Sequence, residues 1–400
     1  MKLELGKIFV KDIRFSDRTY VENGVLYVNK EEVEALVLED DKLAACHLEI
    51  AKPGESVRIT PVKDVIEPRV KVSGGGEIFP GVIGKVSPTV GSGRTHALEG
   101  CCVITVGKIV GFQEGVIDMS GPAAEYCPFS KTNNLCVVME PNGELETHVY
   151  EKSARLAGLK VAAYLGQAAK ELEPDEIETY ETKPIFEQAA MYPELPKVGY
   201  IHMLQSQDLL HDTYYYGVDA KQIVPTIMYP TEIMDGAIVL GNCVAPCDKV
   251  TTFHHFHNPV IEDCYKHHGK DINFMGVILT NENVFLADKE RHSDMVAKLC
   301  QWMQLDGVLI TDEFPGKDGK SQSLADTCKE ADALSSCGQG NATLQFPSMD
   351  HVIGTQDYIE MQIGGWAGCV NPDGSFEAEL QIIIASTIAN GYNRLAARGY

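Results

Sequence analysis

The sequence predicts an α/β protein in which a β-rich N-terminal domain is followed by a mainly parallel sheet with helices on both faces. Two observations carry this prediction. Residues 1–150 consist mostly of short strand-like runs separated by turns, whereas from residue 197 onwards apolar strand-like runs alternate with helix-like ones. A chain of 400 residues can bury more than one hydrophobic core, so we expect a domain boundary near residue 150.

Local patterns predict the individual elements. Asn23-Gly24 separates two β-rich runs and predicts a hairpin turn. Apolar residues spaced by three and four predict an amphipathic helix over 151–171, and the acidic, proline-containing stretch 171–184 is typical of a surface linker. Later patterns predict helices near 259–268 and 289–303 and strands at 274–280 and 306–311.

The composition excludes several classes of partner. A formal net charge of −23 argues against nucleic acid and anionic membranes, because both would repel the protein. No run approaches the ~20 apolar residues that cross a bilayer, and the charged N-terminal sequence does not resemble a signal peptide. We therefore expect a cytoplasmic protein whose 12 cysteines are reduced thiols.

The tripeptide Gly241-Asn242-Cys243 follows an apolar run and can carry chemistry. The thiol of Cys243 can attack the Asn242 carbonyl through a five-membered ring, which converts the amide into a thioester. Loss of the acylated sulfur by β-elimination leaves dehydroalanine, which hydrolyses to a pyruvoyl group and ammonia. On these residues alone, a turn with a buried thiol is the commoner interpretation.

Histidines close to this tripeptide allow three interpretations. One of His254, His255 and His257 can act as a general acid or base, since the ordinary pKa of histidine is near ~6.5. Alternatively, Cys243, Cys247 and two of these histidines bind zinc. The third interpretation places the histidines in a surface loop without a chemical role.

A glycine-rich loop runs from Val90 to His96 and ends in cationic side chains. Backbone amides of such a loop can hold a carboxylate or a phosphate. We therefore predict Arg94 and His96 as substrate-binding residues. A plain turn is the alternative.

Several long motifs resemble a known family, component B of the glycine, sarcosine and betaine reductases, whose alpha and beta subunits are made as one proprotein. The resemblance covers nearly the whole chain. The motifs are Leu5-Gly-Lys-Ile-Phe, Val21-Glu-Asn-Gly-Val-Leu-Tyr-Val-Asn, Pro53-Gly-Glu-Ser-Val-Arg-Ile-Thr-Pro-Val, Gly91-Ser-Gly-Arg-Thr-His, Tyr229-Pro-Thr-Glu-Ile-Met-Asp-Gly-Ala-Ile, Gly241-Asn-Cys-Val and Thr280-Asn-Glu-Asn-Val.

The resemblance implies that the chain cuts itself between Asn242 and Cys243 into a beta chain (1–242) and an alpha chain (243–400) that begins with the pyruvoyl group. The α/β part is thereby divided into 151–242 and 243–400. The substrate amine would condense with the pyruvoyl carbonyl to an imine, which prepares the C–N bond for cleavage. Only His255 of the three histidines matches the family, so the resemblance favours it as the catalytic histidine.

The resemblance also implies partners. A selenolate from a selenocysteine-containing component B subunit and selenoprotein A would cleave the C–N bond, component C would complete acetyl phosphate, and the thioredoxin system would supply electrons. Glycine and sarcosine carry N–H bonds that allow condensation, whereas betaine is quaternary and does not. The sequence leaves the choice of substrate open, and an uncleaved scaffold that positions the selenoprotein is an alternative function.

This chain departs from the family in two places, the histidine-rich stretch 254–257 and a shortened segment. Between Leu305 and Leu309 it is shorter than the family pattern, as if one strand–helix unit were absent. Such a loss would alter the edge of the sheet and the docking of partners.

Overall fold

The computed structural model describes most of the first 312 residues and three short later segments. Within this part the protein is a mixed α/β structure with several sheets. None of the described helices is both long enough and apolar enough to cross a membrane. The described residues are 1–108, 115–121, 124, 127–204, 213–240, 243–244, 248–249, 251–281, 283, 285–312, 341–345, 349–354 and 360–364.

Strands dominate the chain up to residue 141. In chain order, the elements there are β1 (Lys2–Phe9), β2 (Asp12–Ser16), β3 (Tyr20–Glu22), β4 (Val25–Asn29), α1 (Lys30–Val37), β5 (Leu43–Ala51), β6 (Val57–Ile66), β7 (Arg69–Lys71), β8 (Gly93–Glu99), β9 (Cys101–Gly107), β10 (Gly115–Asp118) and β11 (Asn133–Pro141).

Helices and strands alternate in the rest of the described chain. These elements are α2 (Thr147–Gly166), β12 (Glu176–Glu181), α3 (Ile185–Met191), β13 (Lys197–Leu204), β14 (Tyr214–Tyr215), β15 (Val218–Asp219), β16 (Thr226–Met228), α4 (Pro230–Met234), β17 (Ile238–Val239), β18 (Cys243–Val244), β19 (Asp248–Lys249), α5 (Thr252–Phe256), α6 (Pro259–His267), β20 (Asn273–Asn281), α7 (Leu286–Trp302), β21 (Gly307–Asp312), β22 (Asn341–Gln345), β23 (His351–Gly354) and β24 (Glu360–Gly364).

The predicted hairpin at Asn23-Gly24 is confirmed. It joins β3 to β4, which pair antiparallel. Both turn residues have positive φ, 52° at Asn23 and 74° at Gly24. This backbone is the one that two-residue hairpin turns favour, because its twist matches that of the flanking strands.

Two sheets form most of the N-terminal part. One has the order β12-β1-β8-β7 and the other the order β10-β6-β9-β11-β5. The predicted helix over 151–171 is present as α2, which packs on β6 and β9 of the second sheet. Small and branched side chains on this helix, such as Ala154, Leu159 and Val161, are fully buried in the same core as strand residues.

A third sheet has the order β16-β20-β13-β21. Its central strand, β13, runs parallel to both β20 and β21, whereas β16 is antiparallel to β20. Alternate residues of β20 enter two different cores. Val277 packs in a core with residues of α6, and Ile278 packs in another with residues of α7. Because successive side chains of a strand point to opposite faces, helices cover both faces of this strand.

The predicted linker over 171–184 was wrong. Residues 176–181 form β12, which pairs antiparallel with β1 and places Glu178 opposite Leu5. Lys7 on β1 forms an ion pair with Glu178 at 2.7 Å. The acidic residues of this stretch therefore line an edge strand, where charged side chains are common because they discourage further pairing.

Strand pairing crosses the predicted boundaries of the chain. β12 lies after residue 150 and joins the first sheet, and β23 lies near the end of the chain yet pairs in parallel with β6. β13 precedes residue 242, whereas its two neighbours β20 and β21 follow it. The division into 1–150, 151–242 and 243–400 stays a prediction, but these parts are tied together by backbone hydrogen bonds.

A buried charge cluster connects β6 to α2. The side chains of Lys63, Glu151 and Arg155 are fully buried. The Glu151 carboxylate forms ion pairs with Lys63 at 3.0 Å and with Arg155 at 2.9 Å. Burying these charges is costly unless each is paired, so one carboxylate holds two cations in place.

We expect Glu151→Ala to lower the free energy of unfolding by about 3–5 kcal/mol, because it leaves two buried cations without their shared carboxylate. Urea unfolding measures the loss. The control is Asp263→Ala, which removes the exposed ion pair with Lys266; such pairs contribute little. Losses of similar size in the two variants would contradict the prediction.

Candidate functional site

The backbone of Leu240, immediately before Gly241-Asn242-Cys243, is held in an unusual conformation. Its φ is 64°, in the left-handed region. This region costs a residue with a Cβ atom roughly 1–2 kcal/mol. The Leu240 N–H donates to Thr252 Oγ1 at 2.8 Å, and the imidazole of His255 hydrogen-bonds the Leu240 backbone. Both partners belong to α5, so one short helix holds the chain just before the tripeptide.

The segment between Leu240 and Thr252 contains a small antiparallel pair. β18 pairs with β19, with Cys243 opposite Lys249. For Cys243 the structure describes the backbone, while Asn242 and Cys247 lie outside the described residues. The hydrogen bond from Leu240 to Thr252 closes the base of this segment.

The three predicted histidines lie in three different environments. The Nδ1 atom of His254 is 2.8 Å from Thr251 Oγ1, at the start of α5. His255 is buried and faces Leu240, and burial lowers its pKa to about 4. His257 lies at the end of α5, where its Nε2 is 3.2 Å from a carboxylate oxygen of Glu67. Of the three, His255 contacts the backbone next to the tripeptide.

The zinc interpretation receives no support from the described side chains. Within them, no group of three or more histidine, cysteine, aspartate or glutamate residues is placed to hold a metal ion. His257 also contacts Arg69 at 3.2 Å and carries a raised pKa, whereas a metal ligand must be neutral. The side chains of Cys243 and Cys247 are not described, so the zinc site stays a prediction.

A fourth histidine, His202 on β13, was missed by sequence reasoning. Its ring centroid lies 6.2 Å from that of His255, with the rings edge to face. The Tyr200 hydroxyl is 2.9 Å from His202 Nδ1, and the buried Nε2 atom has no hydrogen-bond partner among the described residues. Burial and the neighbouring His255 lower the pKa of His202 to about 3. Two neutral imidazoles therefore lie edge to face, and one of them, His255, contacts the backbone of Leu240.

His202 could have been found from its position in the sheet. It lies near the carboxyl end of a central parallel strand. Residues at the carboxyl ends of parallel strands often contact ligands in α/β proteins. The apolar run around it masked this signal.

The glycine-rich loop binds a carboxylate that belongs to the protein itself. Asp235 accepts hydrogen bonds from the Gly91 N–H at 2.7 Å, the Thr95 hydroxyl at 2.5 Å and the Lys71 ammonium at 2.5 Å. Asp235 is fully buried and lies between α4 and β17. The loop therefore fixes the start of the short strand that leads to Leu240.

The two predicted substrate-binding residues lie on β8, which continues this loop. Arg94 is partly exposed and forms a two-point hydrogen bond with Glu4, at 3.0 and 2.6 Å. His96 is buried, and its Nδ1 is 2.8 Å from the Ala169 carbonyl oxygen. Their role in binding substrate stays a prediction, and both side chains already have partners inside the protein.

A cleft of about 510 Å³ reaches the C-terminal end of α5. Its lining includes Lys7 and Tyr180 from strands and Phe256, His257 and Glu262 from α5, α6 and the turn between them. Residues from both parts of the chain, before and after residue 242, therefore line the cleft, and they carry charges of both signs.

Sequence comparison identifies the class of protein as subunits of multi-component oxidoreductases. Residues 1–311 and 307–398 match the family of glycine/sarcosine/betaine reductase component B subunits. The chain belongs to this family, and the resemblance noted in its motifs is confirmed. No solved structure matches the chain.

Named relatives cover the whole chain. It is 65% identical to the sarcosine reductase complex component B subunit alpha of Peptoclostridium acidaminophilum, over all of both chains. It is 54% identical to the glycine reductase complex component B subunits alpha and beta of the same organism, again over all of both. A more distant relative is the D-proline reductase proprotein PrdA of Acetoanaerobium sticklandii, 21% identical over 77% of this chain and 50% of that one.

The family model matches the chain in two overlapping pieces. The two family matches meet at residues 307–311. The alignment with the sarcosine reductase subunit spans 429 positions, whereas this chain has 400 residues. The shortening near residue 308 stays a prediction; β21 begins close to that position, at Gly307, as the edge strand of the third sheet.

We expect His257→Gln to reduce stability most at pH ~6 and least at pH ~9. Burial opposes the charged imidazole, but Glu67 and Glu262 outweigh it and raise the pKa to about 8. The folded protein thus binds this proton more tightly than the unfolded chain. The stabilisation is complete below the unfolded pKa of ~6.5 and is lost as the pH rises through about 8.

Urea unfolding across this pH range measures the effect, which should approach about 2 kcal/mol at the acidic end. His267→Gln is the control, because that imidazole is exposed. A His257→Gln deficit that stays constant with pH would contradict the prediction.

Proposed function

We propose that the chain is the substrate-activating subunit of an amino-acid reductase and that it matures by cutting itself between Asn242 and Cys243. Cys243 becomes a pyruvoyl group, and the fragments 1–242 and 243–400 remain together as beta and alpha chains. The observation that carries this proposal is the left-handed, doubly held Leu240, two residues before the carbonyl under attack.

The names of two relatives support processing of a precursor. The glycine reductase relative is one sequence named as two subunits, alpha and beta. The D-proline reductase relative is named a proprotein. In this chain, a cut after Asn242 would separate two parts that share the third sheet, so hydrogen bonds between β13 and β20 would keep them associated.

The cut itself needs residues of this chain and water. The Cys243 sulfur bonds to the Asn242 carbonyl carbon, and the amide C–N bond breaks to give a thioester and a free amine. Removal of the Cys243 Cα proton then expels the sulfur with the Asn242 acyl group. Water converts the resulting dehydroalanine into a pyruvoyl group and ammonia, and a second water releases sulfide from the Asn242 thioacid.

The described surroundings fit such a group. The pairing of Val244 with Asp248 lies beyond the bond that is cut, so β18 would keep β19 as its neighbour after the cut. We assign His255 as the catalytic histidine because it hydrogen-bonds the backbone of Leu240, and burial keeps both His255 and His202 neutral at pH 7. When present, the pyruvoyl group supplies an electrophilic carbonyl for an amine, in the manner of other electron-withdrawing prosthetic groups.

We propose that this subunit works with the partners that the family resemblance implies. The chain holds no selenocysteine, so the selenolate that cleaves the C–N bond comes from a selenocysteine-containing component B subunit and selenoprotein A. Component C and the thioredoxin system complete the reaction towards acetyl phosphate and amine.

The purified protein is expected to consist of two chains that separate only under denaturing conditions. Intact mass spectrometry should find a cut after Asn242, and the C-terminal chain should lack a titratable α-amine and react with a carbonyl reagent. The control is Cys243→Ala, which should remain full-length because it has no nucleophile.

Three results would reject this proposal. A full-length wild-type chain with an unmodified cysteine would favour the scaffold function, as would full complex activity of Cys243→Ala. Stoichiometric zinc that is lost in His255→Ala would favour the zinc site.

We propose sarcosine as the preferred amine and glycine as the second. The chain is 65% identical to a sarcosine reductase subunit and 54% identical to a glycine reductase subunit. Cyanoborohydride reduces the adduct between an amine and a ketone to a stable product. The alpha chain should gain the mass of reductively attached sarcosine at lower concentrations than it gains that of glycine.

Betaine is the internal control in this experiment, because its quaternary nitrogen cannot condense with a ketone. A preference for glycine would overturn the choice of sarcosine. A mass gain with betaine would show that the trapped product does not arise by condensation.

A further inference from the structure

Asp64 is a buried carboxylate of the N-terminal part that contacts the site from far away in the sequence. It lies on β6 and is fully buried. Its Oδ2 accepts a hydrogen bond from the Thr252 hydroxyl at 2.7 Å, and its Oδ1 accepts from the Thr252 N–H at 2.9 Å and the Val65 N–H at 2.8 Å. The carboxylate thus receives three hydrogen bonds and grips Thr252 at two points.

This grip determines which way the Thr252 hydroxyl points. A hydroxyl has one proton to donate and lone pairs to accept with. Because Thr252 donates its proton to Asp64, its oxygen is left to accept the Leu240 N–H at 2.8 Å. Without the carboxylate, the hydroxyl proton could turn towards that N–H and repel it.

The charges around Asp64 favour the ionised carboxylate, which accepts hydrogen bonds and does not donate them. Burial raises its pKa, and the positive charge of Arg155 opposes that effect. Arg155 belongs to the cluster with Lys63 and Glu151, so two buried cations stand beside two carboxylates. The cluster holds β6 against α2, which keeps Asp64 at a fixed position under α5.

The chain of contacts ends at a position where small displacements matter. Leu240 is two residues before the carbonyl carbon that the Cys243 thiol would attack. A displacement of about 1 Å can cost roughly 100-fold in rate when groups must be aligned for reaction. The left-handed φ of Leu240 also needs contacts to offset its cost.

Building on the proposed function, we propose that Asp64 is a positioning residue for self-cleavage, acting through the Thr252 hydroxyl on the backbone of Leu240. It takes no part in bond making. It holds Thr252 as an acceptor, and Thr252 and His255 together hold Leu240 so that the thiol of Cys243 meets the Asn242 carbonyl.

Thr252→Val tests this inference, because valine has nearly the same shape and lacks the hydroxyl. The cap of α5 is left intact, since Thr251 occupies that position. We expect the rate of self-cleavage to fall at least ~100-fold, measured as loss of full-length chain after a pulse of cell-free synthesis. Thr252→Ser, which restores the hydroxyl, should cleave within a few-fold of wild type.

Asp64→Asn extends the test to the carboxylate. The amide can offer an N–H where the carboxylate offers only acceptors, so it competes with the Thr252 proton, and we expect cleavage to slow by at least ~10-fold. The matched control is Thr280→Val, another buried threonine, whose hydroxyl has no hydrogen-bond partner among the described residues. It should cleave like wild type.

Hydroxylamine provides a readout that a loss of stability would not mimic. It cuts a thioester but leaves an amide intact. If the hydroxyl positions the first attack, the uncut Thr252→Val chain stays resistant to hydroxylamine while its circular dichroism matches wild type. Cutting of this variant by hydroxylamine between Asn242 and Cys243 would overturn the inference, because the thioester would have formed.

The outcomes separate this inference from the proposed function. A wild-type chain that never cleaves would remove the proposed function itself. A wild-type chain that cleaves while Thr252→Val cleaves at the same rate overturns the positioning role alone. Equal losses in Thr252→Val and Thr280→Val, or no recovery in Thr252→Ser, overturn it as well.

Discussion

The hydrogen-bond chain from Asp64 through Thr252 to Leu240 is the contact on which the site depends. It connects β6 in the N-terminal part to the start of α5 and from there to the end of β17. All three groups are buried, so each polar atom must find a partner inside the protein. The base of the segment that holds Cys243 is thereby fixed by residues far apart in the sequence.

A second set of contacts fixes the approach to this segment from the other side. Asp235, just before β17, is held by the glycine-rich loop and by Lys71. Arg69 donates to the Met234 carbonyl oxygen at 2.6 Å and stacks over Phe256 at 3.9 Å. The chain before the tripeptide and helix α5 after it therefore both contact β7. A cut between Asn242 and Cys243 would leave these contacts on both sides intact.

Much of the fold was predictable from local sequence, and the site only in part. The turn at Asn23-Gly24 and the later helices and strands follow from patterns within a few residues of each other, which is why α6, α7, β20 and β21 lie close to their predicted positions. The acidic stretch that forms β12 was misread, because its strand character comes from pairing with β1. Tertiary contacts outweigh local composition in such cases.

The parts of the site that local sequence missed are those built by distant contacts. Cys243 and His255 stood out because their residue types suit chemistry, and the family resemblance strengthened both. Asp64 lies in a buried strand, its only partner nearby in the sequence among the described residues is the backbone N–H of Val65, and its bond to Thr252 spans 188 positions. The glycine-rich loop was recognised as a carboxylate binder, but the carboxylate it binds is that of Asp235.

The parallel pairing of β23 with β6 has a consequence for the timing of maturation. β6 carries Asp64, and its first residues pair with β23, which ends at Gly354. The backbone of Gly354 lies so close to Thr60 that a side chain would not fit there. Because synthesis proceeds from the N-terminus, the sheet beneath the site is completed by a strand made late. A truncated product would lack this strand, so under the proposed function only a chain made beyond residue 354 would have the complete sheet beneath the cleavage site.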